Sequence, residues 1–127
     1  MIINEGRISF LLTIIPSYEE YVNRARLMER KLIDMIINDN GREFDVEKID
    51  KYSFNTQRLI KRLIYLRYVY IRDLLSPNCC SKMKLNAVRE AIKDEKNINR
   101  IKGTFGYTLE EINFYIDYAD QNIPMVR

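Results

Sequence analysis

The sequence predicts an all-α fold, a compact bundle of four to five helices in a single domain over residues 1–127. Three observations carry this expectation. Apolar residues recur at three- and four-residue spacing along most of the chain, which is the period of a helix face. Two capping boxes, Ser17-Tyr18-Glu19-Glu20 and Thr108-Leu109-Glu110-Glu111, mark helix starts: the hydroxyl accepts from the third-position amide while the glutamate reaches back. Strand signals are scarce, and the one sustained β-branched run lies near the N-terminus.

Taken in order, residues 2–15 read as a strand or a short buried helix, because the apolar run from Ile8 to Ile15 is too short to settle its own period. Pro16 is expected to end it and Ser17 to open a helix from Tyr18 to about Ile37. Tyr21, Val22, Ala25, Met28, Leu32, Met35 and Ile36 form the inner face of that helix, with Glu29, Arg30, Lys31 and Asp34 between them. Residues 38–45, with Asn, Asp and Gly together, read as a turn, and 46–52 as a short helical turn. Ser53 is the expected N-cap of a helix from Phe54 to Leu75, stopped by Ser76-Pro77-Asn78. At about 100° per residue, Ile60, Leu63, Ile64, Arg67, Ile71, Leu74 and Leu75 share one side of it. Arg58, Lys61, Arg62 and Arg72 share the other, with Tyr65 and Val69. Ser81 is expected to cap a third helix through about Ile101, carrying Leu85, Val88, Ile92, Ile98 and Ile101. Residues 102–106 close it, with Gly103 or Gly106 in the left-handed conformation. The last helix begins after Thr108, aligns Leu109, Ile112, Ile116, Ala119 and Ile123, and stops at Pro124.

A chain of 127 residues with 46% apolar content suits one core. The net charge of +3 is mild and local, since residues 58–75 hold five basic side chains against one acid, Asp73. The absence of histidine removes the commonest general base and nitrogen ligand, which argues against zinc, triad and metal-hydrolase chemistry. Cys79 and Cys80 are neighbours that bridge each other only with strain, and they fit a reducing compartment. The run from Ile8 to Ile15 has Glu5 before it and Pro-Ser-Tyr-Glu-Glu after it, with no small-residue cleavage site, so no signal peptide is expected. It is also too short to span a bilayer. The expectation is a soluble cytoplasmic chain, nucleoid-associated, or nuclear in a eukaryote, without a membrane partner.

The pairs Glu19/Glu20 and Glu110/Glu111 are candidate acid–base groups, but both fall in expected first turns, where carboxylates favour the positive end of the helix dipole. Neither phosphate-binding glycine pattern occurs. We therefore expect no enzyme, no cofactor and no small-molecule substrate. Arg58, Lys61, Arg62 and Arg72 with nearby tyrosines could neutralise phosphates and stack on bases. The mild overall charge and the acids on the other helices favour instead a solvated face paired with acids of neighbouring helices. Arg67 stands within the apolar stripe, so it either snorkels to the helix edge or joins an ion pair, within the chain or across a subunit interface. Tyr65, Tyr68 and Tyr70 put aromatic groups on several sides of the helix, which in a small domain favours a permanent protein partner. A subunit partner is the preferred answer for Arg67.

Three stretches resemble a known family: Ile3-Asn-Glu-Gly-Arg7 followed by Leu11-Leu12; NTQRLIKRLIYLRYVYIRDLL at 55–75, ending in Arg67, Ile71 and Arg72; and TLEEINFYIDY at 108–118. In order and approximate spacing they resemble a subunit of the GINS complex, the scaffold of the archaeal and eukaryotic replicative helicase. The resemblance implies a non-enzymatic helical scaffold in DNA replication that bundles with sister subunits as a homo- or hetero-oligomer. It implies that Arg67 and Ile71 lie in the helical core or the subunit interface; the aromatic groups add Tyr68 and Tyr70 to the expected protein interface. The outer basic residues would face DNA or acidic partner surfaces. Residues 76–107 form a longer connection than that family has, and its small β-domain is not expected to follow the helices. Two other readings stand beside it: a small nucleic-acid-binding regulator using the basic helix 58–75, and a viral inhibitor that binds a host protein.

Overall fold

Two long helices lie antiparallel at the centre of the molecule. The computed structural model describes residues 4–76 and 83–122, with side chains from Glu19 onward. α1 (Asn4–Asn40) and α2 (Phe54–Leu75) are joined through a 3₁₀ turn, Val46–Lys51. α3 (Leu85–Ala91), α4 (Glu95–Phe105) and α5 (Leu109–Asn122) follow, and α2 packs against every other element. The fold is all-α and a single compact domain, and no strand occurs among the described residues. No helix of the described residues is long and apolar enough to cross a membrane.

The inner face of α1 is Val22, Ala25, Glu29, Leu32 and Ile36, spaced alternately three and four apart, the seam of two helices packed lengthwise. Met28 and Met35, expected on this face, are 54% and 50% exposed instead. A seam takes only about two positions in seven, and Glu29 fills the place next to Met28 because its carboxylate has partners there. α1 also runs through Pro16 and Ser17, so Pro16 does not end an element and Ser17 does not cap one. A proline's fixed φ is helical, and what it removes is one hydrogen bond and some room in the preceding turn. Glu20, expected to reach back to Ser17, instead receives a 2.6 Å bond from Arg24 one turn on. Glu19 and Glu20 thus sit in mid-helix rather than in a first turn.

α1 ends where Gly41 turns into the left-handed region at φ 81°, its N–H donating to the Ile37 carbonyl at 2.8 Å. The Asn40 amide then ties down the Arg42 and Glu43 carbonyls at 3.0 and 3.1 Å. α2 has both bounds that the sequence predicts: the Ser53 hydroxyl accepts from the Thr56 N–H at 3.3 Å, and Ser76 closes the other end.

The single helix expected from Ser81 to Ile101 is two helices, with a break at 92–94. The Asp94 carboxylate accepts from the Lys96 N–H at 2.9 Å and opens α4, while the Asn97 amide donates to the Ala91 carbonyl at 2.8 Å. Side chains that satisfy backbone groups locally compete with helix continuation. Ser81, Pro77, Cys79, Cys80, Ile123 and Pro124 lie outside the described residues. Of the two glycines proposed to end this region, Gly106 does so, at φ 77°. The Thr108 capping box forms in full, with Glu111 N–H to the Thr108 hydroxyl at 3.1 Å and Thr108 N–H to the Glu111 carboxylate at 2.9 Å.

The core gathers Ile36, Ile60, Leu63, Ile64 and Ile71 from the central pair with Val88, Ile101, Ile112 and Ile116 from the covering helices. A row of rings ties the layers together. Tyr21 of α1 meets Tyr70 of α2 edge-on at 6.0 Å, Tyr70 stacks on Phe105 at 5.9 Å, Phe105 on Tyr107 at 5.3 Å, and Tyr107 meets Tyr115 of α5 edge-on at 5.5 Å.

Candidate functional site

Three features have the chemistry of a site: a buried polar network, an apolar seam on the outside of the α1/α2 pair, and a basic stripe on α2. The network centres on Arg67, whose side chain is 14% exposed opposite a Glu29 side chain at 10%. Its Nε donates to Glu29 Oε1 and its Nη1 to the Tyr115 hydroxyl. Tyr107 donates to the second Glu29 oxygen at 3.0 Å, and Tyr115 passes its own proton toward Glu111 at 3.2 Å. The guanidinium carbon lies 5.3 Å from the centroids of both the Tyr107 and Tyr115 rings, within cation–π range. Burial alone would lower the Arg67 pKa, but Tyr115 and Glu29 outweigh it and hold the group above its ordinary value. Burial raises the Tyr107 and Tyr115 hydroxyls well above theirs.

This network corrects the expected interface. Arg67 is satisfied by Glu29 and two tyrosines of its own chain, not by a subunit partner. Ile71 and Tyr68 are fully buried and Tyr70 is 7% exposed, so all four residues proposed to meet a partner belong to the core of one molecule. Among the described residues, only the Tyr68 hydroxyl is a buried side-chain group without a hydrogen-bond partner. In the sequence Glu29 is grouped with the outward charges Arg30, Lys31 and Asp34 and so escapes notice as a partner of Arg67. The spacing of 22, 25, 29, 32 and 36 would have placed it mid-stripe, opposite the mid-stripe Arg67.

A groove of about 400 Å³ opens beside the network, between α1 and the α4–α5 corner, lined by Arg26, Glu29, Arg30, Ile33 and residues 103–106. Arg26 crosses it to donate to the Thr104 carbonyl. Both oxygens of the Glu29 carboxylate are already engaged by Arg67 and Tyr107. The groove therefore offers the two exposed arginines and an apolar floor rather than a free acid or base.

On the other flank of α1, Tyr21, Met28 and Met35 recur every seven residues, as do Leu59, Leu66 and Asp73 on α2. The Tyr21 hydroxyl donates to Asp73 at 2.7 Å at one end of this seam, and the Asn55 amide donates to Asp39 at 2.8 Å at the other. Thr56 adds a 2.6 Å bond to Asp39, and these two donors hold its carboxyl below its ordinary pKa. Between the two ends lie half-exposed Met28 and Met35 and half-buried Leu59 and Leu66. Exposed Lys31 and Arg62 border the seam.

The basic stripe of α2 is shorter than the sequence suggests. Arg58, Lys61 and Arg62 are exposed, and none forms an ion pair among the described residues. Arg72, expected beside them, has a side chain only 14% exposed and pairs with Asp73 at 3.1 Å. From Tyr65 onward every residue of α2 is half-buried or buried, because the covering helices close over that end. At the open end stands Phe54, 78% exposed, on the same line as Arg58, Lys61 and Tyr65 at spacings of four, three and four. A stripe defined by charge starts at Arg58 and leaves out Phe54. Comparison of the chain with family models, curated proteins and solved structures finds no match in any of the three.

Proposed function

We propose that the chain is a non-enzymatic helical interaction protein whose outer α1/α2 seam receives an amphipathic helix from an acidic protein partner. The observation that carries this reading is the pair Met28 and Met35, half exposed over half-buried Leu59 and Leu66 in a seam bounded by the Tyr21–Asp73 and Asp39–Asn55 bonds. A surface helix normally turns polar residues outward, and Met28 and Met35 are not among the residues packed against the bundle's core, whereas Leu59 and Leu66 are. Methionine adapts to irregular surfaces and recurs in grooves that take up helices. From Tyr21 to Asp39 the seam runs about 27 Å at 1.5 Å per residue, room for roughly five helical turns. Lys31 and Arg62 at its border favour acidic flanks on the occupant. A second copy of this chain would bring the same cations face to face across a two-fold axis.

The GINS resemblance gives this reading its most concrete setting, a replication scaffold in which the seam meets a sister subunit and Arg67 and Ile71 stay in the helical core. The cysteine usage suits a reducing compartment, cytoplasmic or nuclear. The test is fluorescence anisotropy with three labelled helical peptides: one with leucines on one face and glutamates at its flanks, one with lysines in place of the glutamates, and a scramble of the first. We expect only the acidic peptide to bind, and Met28→Glu with Met35→Glu to weaken it at least about tenfold with no change in thermal midpoint. Equal binding of all three peptides, or undiminished binding by the double variant, overturns the proposal. So does self-association through Met28 and Met35 in sedimentation.

A further inference from the structure

We infer that the line Phe54, Arg58, Lys61 and Tyr65 on α2 is a contact surface for single-stranded nucleic acid, with Phe54 stacking on a base and the cations on the flanking phosphates. This surface is separate from the α1/α2 seam and stands independently of the partner proposed for it. Phe54 is the most exposed of the large apolar residues described, at 78%, and it sits at the first position of α2, where the bundle gains nothing from it. No acid occurs in α2 before Asp73, and the Asp39 carboxylate of α1 at this end is engaged by Asn55 and Thr56. Arg58, Lys61 and neighbouring Arg62 are not neutralised by any described residue. Lys51, 5.4 Å above the Tyr52 ring, adds a cation just before the start of α2.

The geometry favours a single strand over a duplex. An exposed ring offers its face to an unstacked base, and free cations on the same line track a backbone. A helix that reads a duplex must enter the major groove, and α2 is held between α1 and the covering helices, with Tyr65 half-buried and every residue after it half-buried or buried. From Phe54 to Tyr65 the line is about 16 Å long at 1.5 Å per residue, the reach of a few nucleotides.

The experiment is fluorescence anisotropy of the full chain with a labelled oligothymidylate, against a duplex of equal length and with polyglutamate as competitor. We expect the single strand to bind more tightly than the duplex, to resist polyglutamate, and to show a slope of log affinity against log salt near −2, from about 0.7 per neutralised phosphate and three cations. Phe54→Ala should weaken binding about tenfold with the salt slope and thermal midpoint unchanged, and Phe54→Trp should restore it. Arg58→Gln with Lys61→Gln should flatten the slope. No binding at low salt, tighter binding of the duplex, equal competition by polyglutamate, or a Phe54→Ala variant that binds like the native chain each overturns the inference.

Discussion

Glu29 and Arg67 each stand mid-stripe, on α1 and α2, and each compensates the other's burial. The sequence made half of this legible: Arg67 falls among apolar residues on any helical wheel, so it needed a partner. The identity of that partner depends on how the two antiparallel helices register, which no single-helix pattern contains. Removing one member of such a pair leaves the other charge buried and unpaired, whereas removing both leaves an apolar contact. We therefore expect Arg67→Met or Glu29→Met alone to cost about 3 kcal/mol in urea unfolding, and the double variant to cost much less than the sum. The same network predicts an alkaline limit. Burial raises the Tyr107 and Tyr115 hydroxyls above the ordinary 10.0. Above that pH the unfolded chain releases protons that the folded chain retains, so the stability these groups provide is complete below about pH 10 and falls as pH rises beyond it. Urea midpoints taken from pH 8 to pH 11 should decline at the top of that range, and less steeply for Tyr107→Phe, which has no proton to release.

At the scale of elements, the ends written in side-chain chemistry were legible. Ser53, Ser76 and Thr108 act where the sequence places them, and Gly106 is the one of the two candidate glycines that ends α4, because a cap is a contact among residues a few positions apart. Pro16 was misread because its helix-breaking preference is a tendency set against the length of an otherwise continuous α1. The apolar spacing of Leu85, Val88, Ile92, Ile98 and Ile101 suits one continuous helix, and the division between α3 and α4 comes from Asp94 and Asn97, whose side chains bond the backbone there. If the Asp94 cap fixes that division, Asp94→Ala should cost about 1 kcal/mol and reduce hydrogen-exchange protection first in α4. Gly106 gives a comparison with a purely conformational cause. A Cβ there meets nothing within 4 Å, yet φ is 77°, so Gly106→Ala should cost about 1 kcal/mol through backbone strain alone.

For the whole molecule, helical periodicity was enough to predict an all-α single domain, but not which surfaces it keeps for itself. A helix with aromatic groups on several sides suggested a permanent partner, and the chain meets that need internally. α1 covers one side of α2, the α3–α5 layer covers another, and the row of rings from Tyr21 to Tyr115 joins them. With Arg67, Ile71, Tyr68 and Tyr70 all enclosed in one copy, we expect folding to proceed without a subunit, any partner at the seam or at the Phe54 line then adding to a domain already formed. An obligate oligomer gains stability with concentration by mass action, whereas a self-sufficient domain does not. The thermal midpoint should therefore stay constant over about a hundredfold range of protein concentration. Ile71→Val should lower stability by about 1 kcal/mol, the cost of one buried methylene, equally at both ends of that range. A midpoint that climbs with concentration, or an Ile71→Val penalty that shrinks as the protein is concentrated, would return Ile71 to a subunit interface.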